Sequence, residues 1–123
     1  MSQYMLLIYP PVDTPAPGRL ERWQEYTDAL LADGVLVSSG RLQSVESATS
    51  VRVTGGETLI SDGPFAETKE YLGGFFLVDC ADLDAALAYA ARMPMEDYGT
   101  VEVRPMMFAA GTPAREMRAQ SAA

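Results

Sequence analysis

The chain has 123 residues, close to half of them apolar, with 17 acidic and nine basic side chains, one cysteine and no histidine. That length and composition fit one globular domain and exclude a disordered or fibrous chain. The net charge of −8 opposes the counterion release that drives nucleic-acid binding, so no nucleic acid and no anionic membrane surface is expected as a partner.

The first element in chain order is a strand. Tyr4-Met5-Leu6-Leu7-Ile8-Tyr9 is an unbroken apolar run stopped by Pro10-Pro11, the pattern of a strand buried on both faces. The run is too short for a membrane span or a signal-peptide core. After a proline-rich loop, Leu20, Trp23, Thr27, Leu30 and Leu31 recur at helical spacing until Gly34, which predicts the first helix. Val35-Leu36-Val37 reads as a second strand. Val51 and Val53 alternate with Arg52 before Gly55-Gly56, and with Leu59-Ile60 beyond the turn they predict a β-hairpin.

The stretch from Ser61 to Glu70 has no period and contains a Gly-Pro step, so it reads as a loop. Gly73-Gly74 then opens Phe75-Phe76-Leu77-Val78, a second run apolar on both faces and expected beside the first strand. The glycine pair lacks the surroundings of a phosphate loop and reads as a bulge or a close backbone approach. Asp82 is placed to cap a helix whose Leu83, Ala86, Leu87 and Ala90 share a face and which ends by Pro94. Val101 and Val103, alternating with Glu102 and Arg104, predict a last strand before Pro105. One domain over residues 1–108 is expected, with 109–123 as a flexible tail of small and polar residues.

This order of elements predicts an α+β ferredoxin-like plait, a split βαβ arrangement, with an inserted hairpin. Two helices cover one face of such a sheet, yet two strands are apolar on both. A homodimer is therefore expected, in which a second subunit covers the open face.

The absence of histidine removes the usual general base near neutral pH and the commonest metal ligand. Asp62 heads the Asp-Gly-Pro-Phe loop, where its first role is to cap the following turn through an Asx-type hydrogen bond. In a partly dry pocket it would instead serve as a general acid or base. Glu67, Lys69 and Glu70, with Arg52 and Arg104, form either a surface ion-pair network or a site for a polar ligand. The carboxylate spacing matches no calcium loop, and neither a metal nor a cofactor is expected. The lone Cys80 allows no intrachain disulfide and lies beside Asp79 and Asp82, which keeps a thiol unreactive; a cytoplasmic setting fits best. Trp23, Tyr26, Met93, Met95, Met106 and Met107 are either core or the lining of an adaptable apolar pocket.

The run Ser61-Asp62-Gly63-Pro64-Phe65-Ala66-Glu67-Thr68-Lys69-Glu70, followed by Leu72-Gly73-Gly74-Phe75 and Val101-Glu102-Val103-Arg104-Pro105, resembles the hallmark of DGPF-domain proteins, a branch of the YCII-related family. The resemblance spans residues 3 to about 108. It implies a dimeric α/β-barrel type of assembly, a bacterial intracellular protein, and an association with extracytoplasmic-function sigma factors. It implies no particular activity. The wider family is credited with a His-Asp pair, but Trp23 stands at the histidine position and Met93-Pro94 at the Asp-Pro step, so neither group is present.

Three functions are consistent with the sequence. The leading one is a small-ligand-binding module, with Asp62, Gly63, Pro64, Phe65, Glu67, Lys69 and Arg104 around the ligand. The second is a histidine-free enzyme using Asp62 as acid or base, and the third an accessory partner of a sigma factor.

Overall fold

The structure, a computed structural model, describes residues 1–11, 18–65 and 70–121. Six strands and three helices follow one another as β1 (Ser2–Tyr9), α1 (Arg19–Ala32), β2 (Leu36–Arg41), β3 (Thr49–Thr54), β4 (Glu57–Asp62), β5 (Gly74–Cys80), α2 (Leu83–Ala91), β6 (Thr100–Pro105) and α3 (Ala114–Ser121). The main sheet has the order β2-β5-β1-β6, and each neighbouring pair is antiparallel. β1 and β2 are thus parallel and joined through α1, and β5 and β6 are parallel and joined through α2. This is the ferredoxin-like arrangement. β3 and β4 form a separate two-stranded sheet, the inserted hairpin.

Alternation along β1 and β5 decides which side chains meet the helices. Tyr4, Leu6 and Ile8 of β1 and Phe76, Val78 and Cys80 of β5 point to one side and pack with Tyr26 and Leu30 of α1 and Ala86 of α2. Leu6, Leu30 and Val78 are fully enclosed there. The Tyr26 hydroxyl donates to the Tyr89 carbonyl at 2.7 Å, and the Tyr89 hydroxyl donates to the Asp33 carboxylate at 2.9 Å, so α1 and α2 are tied across the core. Burial pushes the Tyr26 pKa well above that of a free phenol.

The helix ends follow the sequence closely. Gly34 takes a left-handed backbone (φ 72°) just past α1, a conformation that costs glycine little, and its N–H donates to the Leu31 carbonyl at 3.0 Å. Asp82 caps α2 by accepting from the Ala85 N–H at 2.9 Å. α2 ends at Ala91, three residues before Pro94. The tail, which its composition left without an element, includes the helix α3, and the Ala110 N–H reaches Gln3 Oε1 at 2.8 Å. Strand β4 also runs further than its apolar pair implies, taking Ser61 and Asp62 out of the expected loop.

The other face of the sheet carries Gln3, Met5, Leu7 and Tyr9 of β1 opposite Leu77, Phe75 and Asp79 of β5. Glu102 and Arg104 of β6 share that face, opposite Leu7 and Met5. Arg104 Nε donates to Glu102 Oε2 at 2.9 Å. Asp79 Oδ1 is buried on this side with no donor among the described residues. The hairpin is more exposed still, with Val53 and Ile60 each at 71%.

A candidate binding cavity between the first helix and the sheet edge

Beyond Leu30 and Tyr26, the inward face of α1 continues toward its N-terminus with Thr27, Trp23, Leu20 and Arg19. Trp23 stacks on Phe76 of β5, with ring centroids 6.0 Å apart and planes at 18°, and meets Tyr26 edge-on at 5.9 Å. Past that stack the sheet has little side-chain bulk to offer the helix. Ser39 and Gly40 of β2 lie across from Phe76 and Phe75, Arg41 lies across from Gly74, and close contacts leave no room for a Cβ at Gly73 and Gly74. A Cβ on Gly74 would stand 2.7 Å from the Gly40 carbonyl oxygen, and one on Gly73 2.9 Å from Pro10 Cδ. This is the close approach expected of the glycine pair. A bulky indole on one side and a bare floor on the other leave a space that the described residues do not fill.

The result is a cavity of about 290 Å³. α1 supplies Arg19, Leu20, Trp23, Gln24 and Thr27, and the sheet side supplies Ile8, Ser39, Gly40, Arg41, Gly74 and Phe76. Pro10, Pro11 and Leu42 close its ends with the segment Pro94-Met95-Glu96 that follows α2. Arg19 secures that last wall: its Nη1 donates to the Pro94 carbonyl at 2.8 Å, and its Nε lies 3.4 Å from Glu96 Oε1. Both side chains are three-quarters buried or more, so the pair is shielded from bulk water and holds the lip firmly. Arg41, at the end of β2, is exposed and has no ion-pair partner among the described residues. Arg41 and Ser39 point to the same side of the sheet as Phe76, toward α1.

The Asp62 loop lies elsewhere. Asp62 closes β4 opposite Thr49, is solvent-exposed, and its side chain has no hydrogen-bond partner among the described residues. The turn is held by backbone instead: the Gly63 N–H donates to the Ala48 carbonyl at 2.8 Å, and the Ser50 hydroxyl donates to the Gly63 carbonyl at 2.7 Å. The Asx-type bond expected from Asp62 is thus replaced by Ser50. Gly63 is half-buried with φ 94°, Pro64 is exposed, and Phe65 is 74% exposed with the Arg52 guanidinium 5.4 Å from its ring centre. Glu67 and Lys69 lie outside the described residues. Arg104 is on the opposite face of the main sheet and committed to Glu102. None of Asp62, Gly63, Pro64, Phe65 or Arg104 lines the cavity.

Trp23 and Met95 do line it, whereas Met93 and Tyr26 belong to the core. Arg19, Arg41 and the Ser39-Gly40 floor carry no sequence signal that marks them as a site. Arg19 reads as an ordinary first-turn residue, and its partners are 75 and 77 positions away in the chain. Among the described residues no cluster of Asp, Glu or Cys is arranged to hold a metal ion, and no helix is long and apolar enough to cross a membrane. Cys80 is buried, which pushes its thiol pKa up.

Sequence comparison matches the YCII-related domain over residues 2–109. The chain is also similar to the uncharacterized protein R00369 of Rhizobium meliloti (strain 1021), with 47% identity over 75 residues. That alignment covers 59% of this chain and 60% of the relative, so the chain spans less than two thirds of the relative's length. Trp23, where the resemblance would have placed the histidine, and Pro94 of the Met93-Pro94 step both line the cavity, while Met93 belongs to the core. With the match running across nearly the whole chain, the protein belongs to the YCII-related family.

Proposed function

We propose that this protein is a small-molecule-binding module and that its ligand enters the cavity under the N-terminal half of α1. The observation that carries the reading is the Trp23–Phe76 stack beside a cavity of about 290 Å³ floored by glycine and serine. Ligand pockets are concave and mostly apolar, with a few polar groups that orient the guest, and run from about 300 Å³ upward. This cavity stands at the small end of that range, suited to a compound of one or two rings. Its lining offers indole and phenyl faces for stacking. It offers no histidine, and the one carboxylate among its described lining residues, on Glu96, is held by Arg19, so binding rather than acid–base chemistry is the fitting role. Asp62, open to water and outside the cavity, lacks the dry surroundings that the acid–base alternative requires.

The test uses the chain's single tryptophan as reporter. A library of small aromatic and alicyclic compounds is screened by Trp23 fluorescence and thermal shift. Hits should lose binding in Ser39→Phe, whose ring projects into the cavity from the exposed edge strand. Hits that bind Ser39→Phe unchanged would put the site elsewhere and refute the reading.

A second reading concerns assembly. Val51, Val53 and Ile60 on the hairpin, the apolar stripe Met5, Leu7 and Phe75 on the open sheet face, and Asp79, with no donor among the described residues, all await a cover. Two-stranded hairpins are marginal alone, and exposed apolar surface of this extent marks an interface. A homodimer supplies the cover through two-fold contact of the same surfaces. Sedimentation should give twice the chain mass, and a monomer at all concentrations would refute it.

A further inference from the structure

Resting on the reading of the cavity as a ligand site, we infer that the ligand is a monoanion, an aromatic or alicyclic acid whose carboxylate is received by Arg41. Among the described residues three ionisable side chains line the cavity: Arg19, Arg41 and Glu96. The Arg19 guanidinium is spent on the Pro94 carbonyl and the Glu96 carboxylate, so that pair contributes shape and almost no net charge. Arg41 is left as the uncompensated charge of the site, with no partner among the described residues.

Among the described residues Arg22, Arg52, Arg92, Arg115 and Arg118 also lack an ion pair, so what sets Arg41 apart is its place in the cavity lining, in a chain whose net charge is −8. The long-range field of such a protein repels anions and attracts cations. A site for a neutral or cationic guest would have no use for a positive centre at its edge. A site for an anion needs one to overcome that field locally. Guanidinium also matches a carboxylate geometrically, offering two parallel N–H donors to its two oxygens.

Position agrees with charge. Arg41 projects from the same side of β2 as Ser39 and, across the ladder, as Phe76, the ring on which Trp23 stacks. A rigid acid that lays its ring system along Trp23 and Phe76 would extend its charged end toward the β2 edge, where Arg41 is exposed and the carboxylate keeps part of its hydration. The Ser39 hydroxyl lies between the two and can donate to the same carboxylate. No desolvated charge is created, so the arrangement avoids the main cost of burying an ion.

The experiment compares naphthoate with naphthamide, which share ring system and size and differ in charge. Each is titrated by calorimetry and by Trp23 fluorescence into the wild type and into Arg41→Gln. Naphthoate should bind the wild type about tenfold tighter than naphthamide, the increment of one charge-assisted pair at an exposed position. Arg41→Gln should remove that preference while leaving naphthamide affinity unchanged, and raised salt should weaken naphthoate alone. Equal binding of both probes to the wild type, or a preference that survives in Arg41→Gln, overturns the anion inference and leaves the cavity reading standing. Failure of both probes to bind or to perturb Trp23 overturns both. The wild-type ratio decides the matter even if the variant folds poorly.

Discussion

The two sheets of this molecule carry similar side chains and meet opposite fates. Under α1 and α2, Leu6, Leu30 and Val78 have no exposed surface, while on the hairpin Val53 and Ile60 remain largely in water. The difference lies in what each sheet has to pack against. The four-stranded sheet is covered on one face by two helices tied to each other through Tyr26 and Tyr89. The hairpin shares no strand pairing with that sheet, so its apolar residues contribute to stability only if another molecule covers them.

The largest effect that would sharpen this contrast is in the core. Leu30→Ala should cost about 3 kcal/mol and lower the melting temperature by about 10 °C, since a fully enclosed leucine leaves a cavity behind. On the hairpin, Ile60→Asp should leave the melting temperature of dilute protein nearly unchanged while weakening self-association about 30-fold, measured by sedimentation. A dilute monomer destabilised as strongly as by Leu30→Ala would break the comparison.

A smaller effect is expected at α2, where Asp82→Ala should cost about 1 kcal/mol in chemical denaturation by removing the bond to the Ala85 N–H. Alkaline pH tests the core from another side. Cys80 and Tyr26 are raised by burial, and Tyr89 chiefly by its bond to Asp33, so all three hold their protons more tightly in the fold than in the unfolded chain. Their contribution is complete below the unfolded values of 9.0 for the thiol and 10.0 for the phenols, and is lost as pH rises beyond them. Stability should therefore fall above about pH 9, and Cys80→Ala should shallow the onset. The smallest effect is at Asp62→Asn, expected within about 0.5 kcal/mol of wild type because Ala48 and Ser50 hold that turn.

These predictions also separate what the sequence made legible from what it did not. The apolar runs at Tyr4–Tyr9 and Phe75–Val78, the Gly34 stop, the Asp82 cap and the Gly55-Gly56 turn are local signals, each enforced by backbone geometry or by a two-sided core, and the fold follows from them. The cavity is a non-local object. Its walls come from α1, the ends of β1 and β2, the Gly73-Gly74 step and the segment after α2, and Arg19 looks like any helix-start arginine until Pro94 and Glu96 are brought beside it. The Asp-Gly-Pro-Phe loop is the opposite case, since a contiguous string of turn residues is conspicuous in sequence whether or not it borders a cavity. α3 is not legible in the sequence because its polar composition carries no apolar stripe to mark a helix.

The central claim, that the functional surface is the cavity under α1 rather than the Asp62 loop, is most directly tested by a proton–nitrogen correlation spectrum recorded during titration with naphthoate. The account predicts a saturable shift of the single indole N–H of Trp23, accompanied by the amides of Ser39, Gly40 and Gly74. Shifts confined to Asp62, Gly63 and Phe65, with the Trp23 indole unmoved, would contradict it.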